Sequence, residues 1–104
     1  MDQVGMDSDI ARQVKALEWL KAELVAGVGD FFRSLRAGGE QTADALANII
    51  MLALILSRRL GIDPAQLDRK VDLRLRANLE KRHELEAWFG DLSAILQYRN
   101  GSKR

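Results

Sequence analysis

The segment Ala43-Asp44-Ala45-Leu46-Ala47-Asn48-Ile49-Ile50-Met51-Leu52-Ala53-Leu54-Ile55-Leu56 is apolar on nearly every side of a helix. It carries only two polar residues, Asp44 and Asn48, one turn apart on one face. Such a helix must be covered by others, and a carboxylate drawn out of water with it must be compensated. A bound cation, a basic side chain from another helix, or water at a groove would each serve. The run from 45 to 56 is 12 residues long, short of the roughly 20 that span a bilayer. It reads as a buried core helix, with no membrane partner expected.

A chain of 104 residues, 47% of them hydrophobic, can bury one modest core. One domain over 1–104 is expected, with residues 1–8 and 100–104 frayed. Sixteen basic residues nearly cancel fifteen acidic ones, which gives no general attraction for nucleic acid or an anionic membrane. The local basic groups Arg58-Arg59, Arg69-Lys70 and Arg74, Arg76, Lys81, Arg82 are interleaved with acids and match no nucleic-acid reading motif. The absence of cysteine excludes disulfides, thiolate metal sites and cysteine nucleophiles, and fits a reducing compartment. The polar, acidic N-terminus does not resemble a secretory leader, so the cytoplasm is the expected location.

Strand signals are nearly absent, while Ala, Leu, Arg, Lys and Glu recur at helical spacing, which predicts an all-α chain. Ser8 or Asp9 suits the N-cap of a first helix carrying Ile10, Val14, Leu17, Leu20, Leu24, Val28, Phe31, Phe32 and Leu35. Gly38-Gly39 stops it, and Gly27 and Gly29 loosen its middle. A second helix begins near 40–42 and runs to 60, where Gly61 supplies a left-handed C-terminal residue and Ile62 folds back. Asp63-Pro64-Ala65-Gln66 is a start signal for a third helix, expected to reach about 89. Gly90 ends it, and Asp91 caps a short fourth helix over 92–98. The fold expected is a bundle of three main helices plus this short one, completed by homo-oligomerisation into a dimer or tetramer.

On the first helix Glu23, Ala26, Gly27 and Asp30 share one side, so two carboxylates flank two small residues. A solvated edge is the ordinary interpretation, yet the small residues leave room for a helix or ligand close to the backbone. On the third helix Leu67, Val71, Arg74, Asn78, Lys81 and Leu85 form one stripe, apolar at both ends and polar in the middle. Arg74, Asn78 and Lys81 could pair with the carboxylates of the first two helices, or hold phosphate oxygens beside a carboxylate-bound cation. His83 lies in a charged stretch and reads as solvated. Ser57, Ser93 and Thr42 read as helix or capping residues.

From 17 to 98 the chain resembles the MazG-like proteins, relatives of the all-α nucleoside triphosphate pyrophosphohydrolases. The resemblance rests on Trp19-Leu20-Lys21-Ala22-Glu23-Leu24, Asp44-Ala45-Leu46-Ala47-Asn48-Ile49-Ile50, Arg58-Arg59-Leu60-Gly61-Ile62 and Trp88-Phe89-Gly90-Asp91-Leu92-Ser93. Active relatives carry ExxE and ExxD signatures whose carboxylates bind magnesium, and a later helix with a basic residue, an Asn and a second basic residue near the phosphates. Arg74, Asn78 and Lys81 match the last pattern by spacing. Glu23 matches the first Glu of ExxE, but Ala26 stands at its partner position, and ExxD falls on Ala45 and Asn48.

The resemblance implies metal-dependent hydrolysis of a nucleoside triphosphate to monophosphate and pyrophosphate. Magnesium or manganese would be held by Glu23, Asp30, Asp44 and Asn48, and the phosphates by Arg74, Asn78 and Lys81. The competing expectation is a catalytically degenerate relative that works by nucleotide binding or assembly, its polar stripe setting helix register.

Overall fold

The computed structural model describes the backbone of residues 2–81 and 84–102, and side chains over 9–81 and 84–101. Five helices follow in order, with no strand among the described residues: α1 (Asp2–Ala37), α2 (Gly39–Arg59), α3 (Pro64–Glu80), α4 (Glu84–Phe89) and α5 (Asp91–Ser102). The all-α expectation holds. The chain divides into two compact units, Met1–Asp63 and Pro64–Arg104.

The first unit is a hairpin of α1 and α2 joined through Gly38. Gly38 has φ 82° and Gly39 φ 39°, values that side chains with a Cβ rarely adopt, so a one-residue connection is open to glycine here. The Gly38 N–H donates to the Ser34 carbonyl at 2.8 Å. Across the turn the Thr42 hydroxyl donates to the same carbonyl at 3.2 Å, and the Ser34 hydroxyl donates to the Phe31 carbonyl at 2.6 Å. Leu20 and Leu52 are the buried apolar side chains of this unit. At its far end α2 closes as expected: Ile62 N–H bonds to Ser57 C=O at 2.8 Å and Gly61 N–H to Arg58 C=O at 3.1 Å, with Gly61 at φ 78°. The buried Ser57 hydroxyl donates to the Ile62 carbonyl at 2.7 Å and fastens the same turn.

Three expectations change in the first unit. Asp9 is no N-cap, because α1 is already helical from Asp2; its carboxylate pairs with Arg12 at 2.6 Å instead. The side chain of Ser8 lies outside the described residues. Gly27 and Gly29 do not interrupt α1, since neighbouring side chains use the space they leave. Nor is α2 a buried core helix within one chain, where only Leu52 and Ser57 are buried. A hairpin covers one face of a helix, and the rest of its apolar surface stays open. By length and composition α2 is long and apolar enough to cross a membrane, a property that core helices of soluble proteins share.

In the second unit α3 packs along α5, and α4 packs on α5. The helix expected over 64–89 is in fact two, because α3 ends at Glu80 and α4 begins at Glu84. No glycine or proline stands at that break, so the sequence carries no stop signal there; His83 and Arg82 lie outside the described residues. Gly90, at φ 69°, turns the chain into α5, which runs to Ser102 rather than ending at 98. Glu86 ties the turn, accepting from the Ser93 N–H at 2.9 Å and the Ser93 hydroxyl at 2.5 Å. Those two donors hold the Glu86 carboxyl below the usual glutamate range.

Arg99 of α5 reaches α3, with Nε donating to Asp72 at 2.7 Å and Nη2 to the Asp68 carbonyl at 2.8 Å and to the Asp68 carboxylate. The hydrogen bond to Asp72 is the leading cause that raises the Arg99 pKa above its ordinary value, so the cation is permanent. Leu96 is the buried apolar side chain among the described residues of this unit.

Candidate functional site

The one-residue turn sets the register of the hairpin. It brings Thr42 to Ser34, and two turns further on it brings Asn48 to Gly27, where a Cβ would stand 3.2 Å from the Asn48 amide nitrogen. Between these two contacts lies a groove of about 440 Å³, lined by Asp30, Arg33, Ser34, Gln41, Asp44, Ala45 and Asn48. Three of the four expected metal ligands thus share one groove. Glu23 does not: it lies one turn before Gly27, outside the lining and half-buried. Asp44 is exposed, so its carboxylate is hydrated at the groove wall rather than stranded in a core. Of the three means of compensation considered for it, water suffices.

Asp30 is also engaged. The Arg33 guanidinium donates to it at 2.5 Å, and both side chains are well exposed. Among the described residues no three acidic or imidazole side chains come together as a metal would need. Two formal negative charges and one positive leave the groove at about −1. Its other members, Ser34, Gln41 and Asn48, supply neutral donors and acceptors. This set suits a polar ligand with hydroxyl and amide groups better than a bare divalent ion.

Arg74, Asn78 and Lys81 lie in the second unit. Arg74 and Lys81 are exposed and Asn78 is half-buried. Their stripe is cut, because Lys81 lies past the end of α3 and Leu85 belongs to α4. The face that α3 turns to α5 is instead the one bearing Asp68 and Asp72.

Sequence reasoning missed Arg33, Ser34 and Gln41. The signal was present: once Gly38-Gly39 is taken as a minimal turn, residues equidistant from it on the two helices face each other. Arg99 with Asp68 and Asp72 was also missed, although the two acids stand four residues apart on one helical face.

The two glycines of α1 divide their work. Gly27 admits Asn48 and Leu52, while a Cβ at Gly29 would meet the Arg33 guanidinium at an ordinary 3.5 Å. Gly29→Ala is therefore expected to stabilise the protein by about 0.5–1 kcal/mol, the usual gain for glycine in a helix interior. Gly27→Ala is expected to be less stable than wild type, and Asn48→Ala added to it to recover part of the loss. Thermal unfolding of the three variants checks this order.

The profile of the MazG-like family matches residues 10–92. No curated protein and no solved structure matches the chain. The match spans most of the sequence, and the chain belongs to the MazG-like family.

Proposed function

We propose that this member of the MazG-like family, a helical protein related to the nucleotide pyrophosphohydrolases, binds a nucleotide in the α1–α2 groove and has lost the acidic set needed for turnover. One observation carries the proposal. Asp30, Asp44 and Asn48 line the groove, but Glu23 stands outside it and no metal-binding cluster forms among the described residues. Magnesium, which the family implies, would meet only two carboxylates and an amide oxygen here, and one of those carboxylates is already held by Arg33. Asp30 and Asp44 would accept hydrogen bonds from ribose hydroxyls, and Gln41 and Asn48 would pair with the base.

The same chain is a homo-oligomer of the cytoplasm in this proposal. Trp19, Val25, Phe32, Ile50 and Met51 of the hairpin are all exposed, and exposed apolar side chains of this size favour cover by another subunit. A second copy offers the same faces in return.

A second reading keeps slow metal-dependent hydrolysis, favoured by two carboxylates and an amide oxygen sharing one groove. A panel of ribo- and deoxyribonucleoside triphosphates, with magnesium, manganese or chelator, separates the two. The expected result is nucleotide binding that survives chelation, no pyrophosphate release, and about tenfold weaker binding in Asp44→Ala, the value of a hydrogen bond to a charged group. Metal-dependent pyrophosphate release abolished by Asp44→Ala would establish hydrolysis. No binding to any nucleotide would leave assembly as the function.

A further inference from the structure

We infer that Arg33 is the built-in cation of the α1–α2 groove and competes there with divalent metal ions. The inference deepens the nucleotide-binding proposal by stating why its groove works without a metal.

Three acid–base pairs at i,i+3 stand on α1: Asp9–Arg12, Glu18–Lys21 and Asp30–Arg33. A pair of this kind is ordinary on a helix surface. The third differs in its place. Asp30 and Arg33 line a groove together with a second carboxylate, Asp44, whereas the hollows beside the other two pairs each contain a single acid. Without Arg33 the groove would carry two negative charges and an amide oxygen, a donor set that with waters begins to suit magnesium or manganese.

With Arg33 in place, a divalent ion must displace the guanidinium from Asp30 and then sit beside it. The guanidinium folds back along α1 over Gly29, where a Cβ would lie 3.5 Å from Nη1 and 3.6 Å from Nη2. From α2 the groove receives Ala45 beside Asp44, so no further acid offsets the competition. A single and a double positive charge about 6 Å apart in a water-like medium repel enough to weaken binding about tenfold.

The test uses manganese alone, titrated into the full chain without nucleotide and followed by water-proton relaxation. Wild type is compared with Arg33→Gln, Arg33→Lys and the double variant Asp30→Asn/Arg33→Gln, each checked for helicity by circular dichroism. The expected result is about tenfold tighter manganese binding in Arg33→Gln, no gain in Arg33→Lys, and loss of the gain in the double variant. Equal affinity in wild type and Arg33→Gln, binding by neither, or a gain that persists without the Asp30 carboxylate would each overturn the proposal. Nucleotide binding is measured separately, so its failure would reject the functional proposal and leave the manganese result standing.

Discussion

Leu52→Ala lowers the unfolding free energy of the first unit by about 3 kcal/mol, within the usual cost of a buried leucine truncation. Leu52 is 2% exposed, the most deeply buried apolar side chain among the described residues. Its Cδ1 lies 3.6 Å from where a Cβ would stand on Gly27, so it packs against bare backbone of α1. Ile49 and Asn48 reach the same stretch of Gly27, at 3.8 and 3.2 Å from that Cβ position, and their partial collapse sets how much of the cavity persists. Urea unfolding followed by Trp19 fluorescence, with Trp88 replaced by Phe, reads the shift in midpoint at constant slope.

Leu54→Ala is the comparison, because Leu54 is 43% exposed within one chain. If α2 faces water there, it costs under about 0.5 kcal/mol. A cost equal to that of Leu52→Ala, with a midpoint that rises with protein concentration, would show that a second copy covers the outward face of α2.

Arg99→Gln destabilises the second unit by about 2 kcal/mol, the value expected when a half-buried cation that donates to two carboxylates is removed. Arg99 and Asp72 side chains are 18% and 17% exposed, so water replaces the lost bonds poorly. Arg99→Lys keeps the charge but lacks the planar fork that reaches Asp72 through Nε and Asp68 through Nη2. It is expected to recover less than half of the loss. Unfolding followed by Trp88 fluorescence, with Trp19 replaced, measures both. A change under about 0.5 kcal/mol for Arg99→Gln would place the stability of the α3–α5 pair elsewhere, with Leu96 as the next candidate.

Much of the architecture was legible because it rests on local chemistry. Gly38-Gly39, Gly61 and Gly90 mark helix ends through the backbone angles they permit, and Pro64 marks a start; all four boundaries stand in the structure. The break after Glu80 was invisible, since it uses neither glycine nor proline. The candidate site was legible in part. Asp30, Asp44 and Asn48 were identified by face and spacing, and a turn of one residue then brought them to a common groove. Glu23 shares a helical side with Asp30 but lies two turns away along the axis, a separation that face arguments do not register.

The sequence by itself determined that the chain is all-α and where most of its helices stop. Those properties depend on residues a few positions apart, within reach of one turn of helix. Only the tertiary structure decided which polar groups meet across helices: Asn48 over Gly27, Asp30 beside Asp44, Arg99 on Asp68 and Asp72. Such pairings follow from the register between helices, and register is set by the length of a turn and the clearance of two backbones.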